Sequence, residues 1–251
     1  MVPEPKVGEL KISVIIPAFN EERLMGETLG RVKAALAAFS QRGWESELIV
    51  CDNNSTDRTA ELARAAGATV VFEPVNQIAR ARNRGAEAAS GDWLIFIDAD
   101  TSPAPELFTA VAREIERGRC LAGGCAVRYD RPSFLTAWAV RGWNRLSQAM
   151  QWMAGSFIFC DATVFRQIGG FNLELFASEE IDLSGRLKKR AAETGREVVI
   201  LRDVWVVTSA RKLNLYSWWE HVCFLGRVCV RPRRALRDRS ACHKYWYDGR
   251  R

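Results

Sequence analysis

Two aspartates separated by one small residue, Asp98-Ala99-Asp100, close an apolar run that begins at Trp93. Carboxylates in that spacing suit a hard divalent cation, Mg2+ or Mn2+, which takes oxygen ligands and shares them with substrate phosphates. Position gives the tripeptide its meaning. Trp93 to Ile97 has the length and the β-branched and aromatic content of a buried strand, and Gly91-Asp92 supplies the turn before it. The aspartates therefore fall at a strand's carboxyl end, the edge of an open α/β sheet where ligands bind.

Three further groups could do chemistry. Asp52 ends the apolar run Leu48 to Cys51 and could accept a hydrogen bond from a nucleobase N–H, or fold into a turn of its own backbone. Arg80, Arg82 and Arg84 alternate along a helical stretch, so they point in different directions and at least one faces solvent; an arginine near the cation can bind a diphosphate through two nitrogens. Glu179, Glu180 and Asp182 cluster before an apolar helical pattern. They could hold a proton-accepting base, or simply complement the dipole of a helix over 181–192.

The elements that must position these groups alternate. Strands are expected near Ile12–Ile16, Leu48–Cys51, Thr69–Phe72 and Trp93–Ile97, with helices near Glu22–Phe39, Thr59–Ala66 and Ile78–Ala89. Short connections between them imply βαβ units, a mostly parallel central sheet and helices on both faces. Loops following parallel strands gather on one edge, so Pro17-Ala18-Phe19-Asn20-Glu21, the segment from Asp52 to Asp57, Pro74-Val75-Asn76-Gln77 and Asp98-Ala99-Asp100 should line a single cleft. Within the second of these loops, Thr56 or Asp57 reads as the cap of the next helix.

Composition limits the alternatives. The 251 residues are 48% hydrophobic, enough for a packed core and contrary to disorder of the whole chain. Seven cysteines without a CxxC pair argue against a disulfide framework or a compact zinc site and fit a reducing cytoplasm. The stretch 146–160 is short of the roughly 20 apolar residues a membrane span requires. Of the net charge of +6, the segment Arg227–Arg251 contributes +7, with nine Lys or Arg against two Asp, leaving −1 elsewhere. Charge confined to a tail disfavours a nucleic-acid-binding domain and favours an anionic membrane surface or an acidic acceptor.

Taken in order, ISVIIPAFNEE at 12–22, VCDNNSTDRT at 50–59, ARNRGAEAASGDWLIFIDADT at 81–101, and IGGFN with SEEIDLSGRL between 168 and 187 resemble the family 2 glycosyltransferases of the GT-A fold. The resemblance spans most of residues 12–190 and implies a three-layer α/β sandwich forming one domain. Residues 12–130 would be its nucleotide-sugar-binding half and 131–212 an irregular acceptor and catalytic half, with an aromatic and basic tail over 213–251. It further implies that Pro17, Ala18, Asn20 and Glu21 lie along the nucleoside, that Asp52 meets the base, and that Arg82 approaches the diphosphate. Asp98 would touch ribose or metal and Asp100 would ligate a divalent cation, Mg2+ or Mn2+. Glu179 would bind substrate, and Glu180, or Asp182 in its place, would deprotonate a hydroxyl acceptor in an inverting transfer from a UDP- or GDP-sugar.

Two departures from the family pattern stand out. Glu180 occupies the position where relatives carry Asp, and its extra methylene moves the carboxylate. Around Thr208-Ser209-Ala210-Arg211, where many relatives have a metal-binding histidine, this chain has none; Arg211 could offset phosphate charge instead, while His221 and His243 read as ordinary histidines.

In the second half, Trp138, Trp143 and Trp152 recur at helical spacing and read as helix core packed on the sheet. Trp218, Trp219 and Phe224 precede the basic tail, a combination that suggests peripheral attachment to the inner face of an anionic membrane and a lipid-linked acceptor. Two rival functions are a sugar-nucleotide pyrophosphorylase, disfavoured because the first loop is acidic and lacks glycine, and a non-catalytic nucleotide-sugar scaffold or sensor.

Overall fold

The computed structural model describes residues 10–210 apart from position 105. Eight strands form one sheet in the order β3-β2-β1-β4-β7-β6-β8-β5. The first four in that order are β3 (Thr69–Phe72), β2 (Glu45–Asp52), β1 (Lys11–Ala18) and β4 (Trp93–Ile97), all mutually parallel. The second half of the chain completes the same sheet with β6 (Cys120–Tyr129), β7 (Phe157–Asp161) and β8 (Glu197–Thr208). There β7 runs antiparallel to both β4 and β6, β6 and β8 are parallel, and the short β5 (Thr101–Pro103) caps the edge antiparallel to β8.

Alternation along the strands sends side chains into two separate cores, as the two-residue repeat of a strand requires. Ile12, Val14 and Ile16 of β1, with Trp93, Ile95 and Ile97 of β4, pack under α1 (Glu22–Ser40), α2 (Thr59–Ala65) and α4 (Leu107–Glu116). Ile15, Leu94 and Phe96 face the other way, toward α3 (Ile78–Ala88), α6 (Ala162–Gln167) and α7 (Glu179–Thr194). The result is the expected layered sandwich with helices on both faces.

Helix α3, which carries the three arginines, lies unusually close to β1. A Cβ on Gly85 would stand 2.4 Å from Ile15 Cγ2, so only glycine lets the helix settle there. Of its arginines, Arg84 is exposed and Arg82 is sealed inside.

Two expectations need correction. Helix α7 starts at Glu179, two residues earlier than expected, which brings Glu179 and Glu180 into its first turn. The tryptophans of the second half are not uniformly core. Trp143 packs against the first core, but Trp138 on the same helix, α5 (Phe134–Met150), is 59% exposed. Five residues along a helix is a rotation of about 140°, so the two rings cannot share a face.

Candidate functional site

Parallel pairing of β1 with β2 sets Pro17 beside Cys51 and Ala18 beside Asp52, and this register builds one wall of the sheet's carboxyl edge. Side chains then lace the two loops that follow. The backbone N–H of Asn20 donates to Ser55 Oγ at 3.0 Å, and Thr56 N–H returns a bond to Asn20 Oδ1 at 2.8 Å. Glu21 N–H donates to Thr59 Oγ1 at 2.7 Å. Asp57 serves the starts of two helices: its carboxylate accepts from Thr59 N–H at 3.0 Å and from Glu22 N–H at 3.1 Å. Asp52 is buried, and its Oδ1 accepts from Ser55 N–H at 2.9 Å, the turn-forming geometry weighed against base recognition above.

The third loop is fastened just as tightly. Asn53 donates to the carbonyls of Glu73 (3.1 Å) and Val75 (2.7 Å) and accepts from Gln77 N–H (2.9 Å). Gln77 in turn donates to the carbonyls of Leu173 and Leu175 at 2.8 and 2.9 Å, joining the donor-side loops to the segment before α7. Asn83 holds Phe171 through both its backbone groups, each at 2.9 Å. These amides are scaffold.

At the end of β4 the two aspartates diverge in environment. Asp98 is partly open, and its Oδ1 accepts from Arg82 Nη2 at 3.0 Å. Asp100 is buried against the end of β8: its carbonyl accepts from Ser209 N–H at 3.1 Å, and its Oδ1 lies 3.5 Å from the hydroxyls of Thr101 and Thr208. The turn between them is anchored to α1 by Thr28 Oγ1, which donates to Ala99 O at 2.8 Å. Among the described residues no three or more His, Cys, Asp or Glu side chains gather into a metal-binding group. The pair Asp98 and Asp100 still fits Mg2+ or Mn2+, because such ions keep waters and substrate phosphates and need only one or two protein carboxylates. Arg211 lies outside the described residues.

Arg82 is the hub of the acidic side. It is 1% exposed, and its guanidinium donates from Nη1 to Glu179 Oε1 at 2.7 Å and from Nη2 to Asp98 Oδ1 at 3.0 Å and to Gly155 O at 2.9 Å. The Phe171 ring stacks 5.1 Å from its Cζ. Burial works against its charge, but the carboxylates of Asp98, Glu179 and Glu180 outweigh that and raise its pKa. Arg82 donates three bonds to protein acceptors, while its buried Nε has no partner, so the guanidinium keeps a donor beyond these three bonds.

Glu180 belongs to the same cluster. Burial is the main cause that pushes its carboxyl up to about 8, the Glu179 charge adds to it, Arg82 opposes it, and Asp98 contributes a smaller push. Helix α7 presents Glu180 here without a side-chain cap: Ser178, at the cap position, takes the left-handed conformation with φ 61°. The Arg82–Glu179 pair fixes the first turn instead. Ser184 adds a tether, donating to Glu180 O at 2.7 Å and accepting from Met153 N–H at 3.0 Å. Asp182 does not join this group. It pairs with Arg186 Nε at 2.8 Å on another face of α7, because two residues along a helix is a turn of about 200°.

Sequence reading missed Gly155. Its carbonyl takes a bond from Arg82, and a Cβ there would stand 3.2 Å from Arg82 Nη2 and 3.7 Å from Glu180 Cδ. A glycine between Ala154 and Ser156 was the only signal, and it carries no periodicity.

Comparison with known proteins matches the model of "Glycosyl transferase family 2" to residues 13–169. The dolichol-phosphate mannosyltransferase of Pyrococcus furiosus is 32% identical over 137 residues, which is 51% of this chain and 36% of the relative. An undecaprenyl-phosphate 4-deoxy-4-formamido-L-arabinose transferase of Edwardsiella ictaluri is 31% identical over 147 residues, 54% of this chain and 41% of the relative. The matches thus span well under half of these relatives. Among solved structures, S. aureus TarS superposes with a TM-score of 0.62 at 18% identity over 94% of this chain and 68% of that one. Glucosyl-3-phosphoglycerate synthase from Mycobacterium tuberculosis, in complex with Mn2+, UDP-glucose and phosphoglyceric acid, gives 0.61 at 21% identity over 93% and 80%. These likenesses establish the GT-A fold. With the family model covering well over half of its residues, the chain belongs to glycosyl transferase family 2.

Proposed function

We propose that this protein is an inverting, metal-assisted glycosyltransferase that moves a sugar from a UDP- or GDP-sugar to a hydroxyl acceptor. The observation that carries the reading is the cluster of Glu180, Glu179, Arg82 and Asp98, in which Arg82 bonds both Glu179 and Asp98 of the Asp98-Ala99-Asp100 turn and the neighbouring Glu180 carboxyl has its pKa pushed up to about 8. A base of that strength takes a hydroxyl proton more readily than an ordinary carboxylate would.

On this reading the wall formed by Pro17, Ala18, Asn20, Glu21 and Asp52 receives the nucleoside, while Asp98 and Asp100 hold the cation. When bound, a divalent cation supplies Lewis-acid neutralisation of charge on the departing diphosphate. Ionised Glu180 accepts the proton of the acceptor hydroxyl as that oxygen forms its bond to the anomeric carbon. The bond from that carbon to the diphosphate breaks on the opposite side, and its electron pair leaves with the nucleoside diphosphate. Arg82 keeps Glu179 and Asp98 in register and so orients the helix that presents the base.

The relatives support sugar transfer by name, and one supports a nucleotide-sugar donor. The phosphate in two of the names differs from the hydroxyl acceptor, which rests on Glu180 alone. One is a mannosyltransferase for dolichol phosphate and another a transferase for undecaprenyl phosphate, and a mannosyltransferase from Pyrobaculum calidifontis of the same fold is in complex with GDP-Man and Mn2+. Calorimetric titration with UDP and GDP, each with and without Mn2+, tests the donor site. Metal-dependent binding of one nucleotide is expected; binding of neither overturns the proposal.

A further inference from the structure

Helix α5 leaves several of its large apolar side chains in water. Phe134, Trp138, Arg141 and Arg145 follow one another at intervals of three and four residues and are all exposed, with the exposed Leu146 and Met150 beside that stripe. Phe134 is 77% exposed, and its ring meets that of Trp138 at 6.3 Å between centroids. The inward side sets Trp143 against the first core beside two hydrogen-bonded polar side chains. Asn144 bonds both backbone groups of Val127, at 3.0 and 2.9 Å, and Ser147 donates to Trp152 O at 2.6 Å. Large exposed apolar groups rimmed by polar ones mark an interaction face.

We infer that this stripe of α5 docks on an anionic lipid surface. The helix has two arginines and no Asp or Glu, so its exposed side joins aromatic and aliphatic groups to positive charge alone. That is the chemistry of a helix lying at a headgroup boundary, where the rings enter the acyl edge and the arginines meet lipid phosphates. From Phe134 to Met150 the exposed side is about 24 Å long at the rise of an α-helix, enough to lie along a membrane, and no helix among the described residues is long and apolar enough to cross one. The aromatic and basic tail, to which sequence composition gave a membrane contact, lies outside the described residues.

Docking stands on the stripe itself, while its consequence for catalysis rests on the proposed transfer. Five residues after α5 ends, Gly155 lies against Arg82 and Glu180. Lys188 of α7 donates to Met150 O at 2.8 Å, so the helix that lies on lipid is tied to the helix that carries the base. The site then faces an acceptor hydroxyl or phosphate held at the headgroup level.

The test is sedimentation of the full chain with vesicles of phosphatidylcholine, with and without phosphatidylglycerol, at low salt. Two double variants are compared, Phe134→Ser with Trp138→Ser, and Arg141→Glu with Arg145→Glu; the second alters only exposed polar positions and guards against a folding failure in the first. Binding that depends on phosphatidylglycerol and falls at least tenfold in each variant is expected. Wild-type affinity in the variants, or no vesicle binding by the wild type, overturns the inference. So does a dimer that the first variant dissolves without changing vesicle binding, which would make a second copy the occupant. Nucleotide titration of the same proteins separates the two readings: loss of it everywhere would remove the donor site and leave the docking result intact.

Discussion

Arg82 and Glu179 meet at 2.7 Å between Nη1 and Oε1, and both side chains are almost wholly withdrawn from water. A buried ion pair of this kind adds little net stability against an apolar substitute, yet breaking it from one side leaves a stranded charge. Arg82→Met should therefore destabilise the protein by about 3 to 5 kcal/mol. Arg82→Lys should recover only part of this, since one ammonium cannot hold Glu179, Asp98 and the Gly155 carbonyl in the planar fork that a guanidinium supplies. Urea denaturation reads both. A loss below about 1 kcal/mol for Arg82→Met would show that the hub does not hold the fold together.

Glu180 gives a pH signature. Its carboxyl stands at about 8 in the folded protein against an ordinary value of 4.5. Between those values the folded state keeps a proton that the unfolded chain has released, so stability falls as pH rises through the window. Glu180→Gln removes the titration while keeping the shape. Its melting temperature should gain on the wild type between pH 5 and pH 8, and its transfer rate should be lower by a factor of about 100 or more. In the wild type, kcat/KM should climb through about pH 8 as the base ionises. A melting difference that stays constant across that range would remove the raised pKa, and full activity in Glu180→Gln would remove the base assignment in favour of a scaffold.

Much of the first half was legible because its signals are local. The five apolar residues before Asp98 and the Pro17–Glu21 loop each announce a strand and its end, and the strands Thr69–Phe72 and Trp93–Ile97 stand where expected. The role of Arg82 was not legible: alternation of Arg80, Arg82 and Arg84 shows that they diverge, but not which one is buried. Its partners Glu179 and Gly155 lie 97 and 73 residues away. The outward face of α5 was hidden for the opposite reason, because tryptophan at helical spacing ordinarily means core, and only the packed structure shows that Asn144 and Ser147 took the inner side.

The two aspartates should separate in their effects. Asp98 has a structural tie to Arg82 as well as its proposed place in the cation pair, whereas Asp100 lies against β8. Asp98→Asn should lower both the melting temperature and metal-dependent nucleotide affinity. Asp100→Asn should lower affinity at least tenfold, with a smaller change in melting. Calorimetry with Mn2+ alongside thermal melts tells them apart. Unchanged metal-dependent affinity in Asp100→Asn would take that residue out of the cation site.

Gly155 tests whether the hub positions the base. Its added Cβ would stand 3.2 Å from Arg82 Nη2, tighter than side chains normally pack, and 3.7 Å from Glu180 Cδ. An exposed arginine would swing aside, but Arg82 is pinned by Glu179 and Asp98 at its two ends. The strain must pass into the positions of the carboxylates themselves. Gly155→Ala should therefore cost stability of only about 1 to 3 kcal/mol, the range for overpacking. The base, by contrast, moves by a few tenths of an ångström or more, and small displacements at a reacting centre cost far more in rate than in folding. A fall in kcat of about tenfold or more with little change in KM for the donor would match that argument. A variant that loses donor affinity and keeps kcat would instead tie Gly155 to the nucleotide wall, and the link from Arg82 to the base would be lost.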